Sequence, residues 1–309
     1  MSFNFSSGKR ATWLCLLVMF FWGSLFPMIK IGYKAFEIAA GSPGSILLFA
    51  GVRFFICGIV LIAVTSALEK KPCLPAKSDF SAILPAALFA YALHYTCTYI
   101  GVAHLESSKT AIIKQIGTLF IVCFAFLFRK EDRFSVRKLV GGILGFASII
   151  AININGKRVS LNAYDLLVLG ASACSVISTI LLKNAYDKLS PMAVTAWAQL
   201  IGGAALGIVG LCLGGTIEKV DFNAILVLMY ICFASSMGYA LWNVLLKYNN
   251  MSKLNLIKFT EALFSALCSW ALLGENIFTV KYLMAFVLVC LGLLIGNGVL
   301  KFGRKAKNG

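Results

Sequence analysis

Residues 107–131 read SSKTAIIKQIGTLFIVCFAFLFRKE, and residues 251–275 read MSKLNLIKFTEALFSALCSWALLGE. Set one under the other, 144 positions apart, they share Ser108/Ser252, Lys109/Lys253, Ile113/Ile257, Lys114/Lys258, Leu119/Leu263, Phe120/Phe264 and Glu131/Glu275. Each is dominated by an apolar run close to the ~20 residues that span ~30 Å of hydrocarbon. Each also carries a lysine at the same interior place. An ionisable group there costs ~2.5–3.5 kcal/mol unless water or a partner receives it. Shared apolar composition explains the Leu and Phe matches. It does not explain the Lys and Glu matches.

The match extends without gaps from 89–153 onto 233–297. It adds Phe89/Phe233, Ala90/Ala234, Tyr95/Tyr239, Phe134/Phe278, Val136/Val280, Leu139/Leu283, Leu144/Leu288 and Asn153/Asn297, giving fifteen identities in sixty-five positions. Ten apolar runs can be marked along the 309 residues, near 11–33, 45–67, 80–102, 107–128, 136–154, 163–182, 191–213, 223–246, 254–273 and 280–299. The links are short, the longest running from Leu68 to Asp79, so no soluble catalytic domain fits between runs. Five runs per half oblige the second half to enter the membrane with opposite orientation. The predicted fold is therefore an all-α polytopic membrane protein with ten transmembrane helices in two inverted five-helix repeats, 1–155 and 156–309.

Composition agrees. Hydrophobic residues make up 60% of the chain and charged residues 13%, where soluble domains carry roughly 25% charged and under half apolar. Lipid is the expected solvent. The net charge of +16 sits in short clusters between apolar runs and on no separate basic domain, so no nucleic-acid partner is expected. The ten cysteines are scattered singly, nine within apolar runs and Cys73 in a link, with no CxxC pair or metal-ligand spacing. They read as small buried hydrophobes, and no metal or cofactor is expected. The first run, after Lys9 and Arg10, is too long for a signal-peptide core and no small-x-small cleavage site follows it. With the N-terminus inside, eighteen Lys and Arg residues of the links and tails lie inside and six outside. That bias predicts cytoplasmic termini in a plasma or inner membrane.

Three short motifs carry a family resemblance: Phe21-Trp22-Gly23-Ser24-Leu25-Phe26-Pro27, Arg53-Phe54-Phe55, and Leu272-Leu273-Gly274-Glu275-Asn276. With the repeat, they resemble the drug/metabolite transporter superfamily in its EamA-type, ten-helix branch. Phe128-Arg129-Lys130-Glu131 keeps the Glu of the third motif but not its Gly, and Thr118 and Ala262 stand where the family often has Pro. The resemblance implies alternating access, often in an exporter of amino acids or related metabolites.

The candidate substrate-binding residues are Tyr91, His94, Tyr95, Lys114, Gln115, Tyr239, Trp242, Lys258 and Glu261. Lys114 and Lys258 read as snorkelling or inter-helix pairing groups, or as residues of a shared central cavity; their matched places favour the cavity. Glu261 follows Lys258 by three residues on one helix face, so it either neutralises that lysine or serves as a proton-coupling or substrate-ammonium site. Arg53 reads as a packing or outer-gate residue. Tyr91, His94, Tyr95 and Thr98 follow at i, i+3, i+4 and i+7 and form one stripe. Trp22 is as consistent with packing near Gly23 as with cavity lining, and Asn153 and Asn297 read as helix-capping or inter-helix groups. Gly141-x-x-x-Gly145 and Gly203-x-x-x-Gly207 permit close helix approach within one chain or between two. The expected function is secondary transport of a small metabolite, with no catalytic residues. A phosphate-ester or organic-anion exchanger is the near alternative, and a lipid-modifying membrane enzyme the remote one.

Overall fold

The computed structural model describes residues 8–128, 134–155, 158–159, 162–187 and 189–296. The first half contains α1 (Gly8–Ala35), α2 (Pro43–Glu69), α3 (Phe80–Ala86), α4 (His94–His104), α5 (Ser107–Phe124) and α6 (Val136–Asn153). The second contains α7 (Ala163–Tyr186), α8 (Pro191–Cys212), α9 (Phe222–Tyr248), α10 (Met251–Lys258), α11 (Thr260–Leu273) and α12 (Val280–Gly296). The departure from an all-helical chain is a two-residue antiparallel pair between α6 and α7, with Ile154 opposite Val159. Among the described residues, seven rods are long and apolar enough to cross a membrane. α5 falls outside that set, consistent with Lys109, Lys114 and Gln115 diluting its 18 residues.

Local sequence sets the ends of these rods. Pro43 opens α2, where its fixed φ suits the first turn and its missing N–H goes unmissed. Asn162 caps α7 by accepting the Asp165 N–H at 2.9 Å, and the Asp165 carboxylate accepts the Asn162 N–H in return. Gly274 closes α11 at φ +67°, the left-handed conformation that favours glycine. Along the rods, Trp13, Leu68, Phe222 and Val280 are each more than 70% exposed. Such apolar exposure would be a liability in water. It is the lipid face.

Packing follows the repeat. α2 lies along α8, its counterpart, and α6 along α12, its counterpart. α1 crosses to α9 and α11 of the second half, while α7 crosses to α4 and α5 of the first. The α2–α8 seam is built on glycine: a Cβ at Gly51 would lie 2.3 Å from the Gly207 nitrogen, and one at Gly203 would lie 2.4 Å from the Phe55 nitrogen. Helices with no hydrophobic drive to associate in lipid gain contact by such backbone approach. Gly141 likewise meets Gly292 on α12. Both GxxxG motifs are thus used within the chain.

Two rods are not straight. Between α3 and α4 the chain continues through Ala87–Leu93 as π-helix, whose i→i+5 bonds widen the turn and commonly mark functional sites. Between α10 and α11, Phe259 bonds back to Leu256 and Ala262 to Phe259, both at i−3. That tightened turn breaks the rod between Lys258 and Glu261. Both irregularities border the same space.

Candidate functional site

The space lies between the two halves, bounded by α1, α2, α4, α5, α7, α9 and the α10–α11 break, with Ala90 contributed by the π segment. Its interior open to a water-sized sphere is about 50 Å³, room for a few waters and narrower than the roughly 300–1,000 Å³ of a formed ligand pocket. Of the nine predicted site residues, seven line it: His94, Tyr95, Lys114, Tyr239, Trp242, Lys258 and Glu261. The matched lysines do face one cavity.

Tyr91 and Gln115 do not line it. Tyr91 is wholly buried behind the wall, its ring 5.4 Å from Phe54 and 5.2 Å from Tyr239. The stripe assumes α-helical spacing, but the widened π turn brings Ala90, five residues before Tyr95, to the cavity instead. Gln115 is buried on α5, one residue round from Lys114 and away from the lining.

Tyr95 and Tyr239 are joined hydroxyl to hydroxyl. They are repeat counterparts, so the pseudo-two-fold axis passes between their oxygens. His94, the residue before Tyr95, has Nδ1 2.9 Å from the Ala171 carbonyl. A carbonyl only accepts, so Nδ1 carries the proton. The counterpart of His94 is Gly238, where a Cβ would sit 2.5 Å from the Trp22 indole nitrogen. Glycine there admits Trp22, which packs 5.3 Å from Trp242 and 5.1 Å from Tyr239. Trp22 is a cavity residue.

Charges are distributed unevenly. Glu261, 1% exposed, lies 3.6 Å from Lys114 across α5 and α11. The expected i, i+3 ion pair with Lys258 is not formed; Glu261 turns to Lys114 instead. Lys258 instead sits between indoles, 5.4 Å from Trp22 and 5.4 Å from Trp242, a cation–π setting. Arg53 is wholly buried; its Nε donates to Ser235 Oγ at 2.9 Å and its guanidinium also bonds the Tyr99 hydroxyl. Three cations and one carboxylate line the space. Among the described residues neither Arg53 nor Lys258 has a carboxylate within ion-pair distance.

Sequence reasoning left several lining residues out. Ser175, Ser178 and Thr179 of α7 face the space, and their i, i+3, i+4 spacing was a readable signal. Asn243 donates to Thr195 and leaves its own carbonyl oxygen without a partner. Arg53 was visible as a lone arginine in an apolar run, and it reaches the cavity rather than serving as packing alone.

A second polar cluster ties the end of α11 to the start of α5. Where α11 ends and α5 begins, the Glu275 carboxylate accepts the Ser107 N–H at 2.9 Å, the Ser108 N–H at 3.2 Å and the Ser108 hydroxyl at 2.6 Å. Lys30 lies 3.6 Å from it, and Tyr282 donates to Glu106 at 2.6 Å. A carboxylate at a helix N-terminus meets both free N–H groups and the positive end of the dipole. Its repeat counterpart, Glu131, and Asn297, the counterpart of Asn153, lie outside the described residues.

The sequence pattern of the EamA-like transporter family matches this chain twice, over residues 9–154 and 162–297. The chain belongs to that family. Among EamA-like relatives, an uncharacterized transporter of Bacillus subtilis (strain 168), YvbV, is 26% identical over 292 residues, covering 93% of this chain and 92% of its own. A probable amino-acid metabolite efflux pump of Escherichia coli (strain K12) is 25% identical over 312 residues, covering 96% and 97%. One of the same description from Salmonella typhimurium (strain LT2) is 25% identical over 303 residues, covering 93% and 94%. A crystal structure sharing 16% identity superposes with a TM-score of 0.69 over 94% of this chain and 97% of that one, which shows a common fold.

Proposed function

We propose that this EamA-like chain exports a small zwitterionic metabolite, such as an amino acid or related compound, by alternating access. It does so as a multi-pass protein of the cell membrane with both termini cytoplasmic. The observation that carries the reading is the charge pattern of the cavity between the repeats: Arg53, Lys114 and Lys258 against Glu261 alone. A substrate carboxylate meets Lys258, which has no acid partner among the described residues, with Arg53 nearby on the same lining. A substrate ammonium meets Glu261, whose two oxygens make no hydrogen bond. The apolar part of the substrate lies on Trp22, Trp242 and the tyrosine pair. The efflux-pump descriptions of the Escherichia coli and Salmonella relatives support export and this class of cargo.

The surplus of two positive charges favours a second reading, exchange of an organic anion or phosphate ester. One experiment tests both. Liposomes carrying the protein are loaded in turn with single amino acids and with organic anions, and counterflow of the labelled compound is measured. Zwitterions should exchange saturably. Lys258→Gln should weaken their binding by about 1.5–3 kcal/mol, roughly 10- to 150-fold in Kd, with folding intact. Counterflow of anions alone would replace the first reading with the second, and saturable counterflow of neither class would refute both.

A further inference from the structure

Buried serine and threonine hydroxyls in these helices mostly bond back to the preceding turn. Thr98 donates to the His94 carbonyl at 2.8 Å, Thr110 to Glu106 at 3.0 Å, Ser172 to Val168 at 3.1 Å and Thr195 to Pro191 at 2.6 Å. Two hydroxyls on α11 do not. Ser265 and Ser269 are both 0% exposed, and neither hydroxyl has a partner. A buried hydroxyl left unbonded is costly, on the order of 1–3 kcal/mol. Ser265 and Ser269 stand four and eight residues beyond Glu261, so all three lie on one stripe of α11. At 1.5 Å per residue the stripe runs about 12 Å. α1 and α5 pack over α11 along it.

The stripe has a distinct group at each end. Glu261 closes the cavity end. At the far end the Ser269 carbonyl accepts the Glu275 N–H at 3.3 Å, which places Ser269 beside the cluster of Glu275, Ser108, Lys30, Tyr282 and Glu106. Neighbours at i, i+4 have Cβ atoms about 5–6 Å apart, too far for direct O–H···O contact, so the stripe conducts only when a water enters between its hydroxyls.

We propose that Ser269 and Ser265 form a proton path from the Glu275 end of the molecule to Glu261, separate from the substrate cavity. A proton entering at the Glu275 end is taken up by the Ser269 hydroxyl, which gives its own proton onward through water to Ser265. Ser265 does the same toward Glu261. Each hydroxyl accepts one proton and releases one, and the net event is protonation of the Glu261 carboxylate. The charged and titratable groups nearest Glu261 are Lys114 from α5, 3.6 Å away, and Lys258 from α10 and His94 from α4 on the same cavity lining, with the Lys30–Glu275 pair at the far end. Resting on the carrier reading above, the path has a consequence for coupling. A proton and a substrate ammonium compete for the same carboxylate, so protons arriving at one face discharge substrate there.

The test is infrared spectroscopy of the full-length protein in bilayers of a single orientation, with no substrate. Acidifying only the Glu275 side should raise a carboxylic-acid C=O band that Glu261→Gln lacks. Ser269→Ala should delay that band by about tenfold or more while leaving its final size and titration midpoint unchanged. Ser269→Thr, which keeps the hydroxyl, should retain the wild-type rate, and Ser265→Ala should behave as Ser269→Ala does. A wild-type rate in both alanine variants would overturn the path. So would the absence of any band due to Glu261, a result that leaves the counterflow test of the carrier standing. Failed counterflow with the band and its delay intact would remove the carrier reading and keep the path.

Discussion

The Lys114–Glu261 pair should behave as a single energetic unit. Its charged atoms are 3.6 Å apart, and the side chains are 12% and 1% exposed. At an effective dielectric constant of about 20 this separation gives about 4–5 kcal/mol of attraction, in line with the 3–5 kcal/mol lost when one partner of a buried pair is removed. Lys114→Gln leaves the buried Glu261 carboxylate with no cation in ion-pair contact among the described residues. Glu261→Gln leaves three cations lining one cavity with no counter-charge. Each variant should therefore lose about 3–5 kcal/mol, a fall in Tm on the order of ten degrees. The double variant Lys114→Gln/Glu261→Gln removes both charges together, so its loss should be smaller than the sum of the two by about 4 kcal/mol. Tryptophan fluorescence during thermal unfolding in detergent reads all four proteins. Losses that simply add would mean the pair is not coupled, and Lys114 would then be a residue reaching independently for solvent.

Glycine substitutions on the α2–α8 seam should divide sharply. Gly51→Ala and Gly203→Ala each drive a Cβ into backbone at 2.3–2.4 Å and should cost about 1–3 kcal/mol; Gly207→Ala, whose Cβ meets nothing within 4 Å, should leave Tm level or raised. An equal effect at all three positions would contradict the packing. Glu275→Gln should cost about 1–3 kcal/mol through its charged hydrogen bonds to Ser107 and Ser108, whereas Glu37→Gln, at an exposed pair with Lys219, should leave thermal unfolding as it was. A cysteine placed at Lys305, after removal of background thiols, should escape an impermeant reagent in intact cells, since labelling there would put the C-terminus outside.

Most of the fold could be read from the 144-residue register. Polar identities such as Lys114/Lys258 and Tyr95/Tyr239 survive shared apolar composition, and those residues meet in one cavity. What could not be read were departures from ideal helix. A stripe drawn at i, i+4 assumes 3.6 residues per turn. The π segment at Ala87–Leu93 violates that for Tyr91, while for Glu261 a partner on another helix, Lys114, takes the place of Lys258. Pro85, two residues before the π segment, marks that rod as irregular without giving the widened turn, and no proline marks the turn at Phe259. Gln115 was misplaced for a simpler reason: one position along a helix is 100° of rotation, and polarity alone does not give the face. Arg53 gave a clear cost signal, but its hydroxyl partners Tyr99 and Ser235 lie on other helices, beyond what a single run discloses.

The bond between Tyr95 and Tyr239 has a handedness that the fold around it lacks. One hydroxyl hydrogen lies between the two oxygens, so one tyrosine gives and the other receives. Under the alternating-access reading proposed above, exchange of the two repeats reverses giver and receiver and leaves that bond at the same energy. The midpoint of the protein is thus neutral toward direction. Any preference must come from positions where the halves differ, of which Glu261 opposite Gly117, and His94 opposite Gly238, stand nearest.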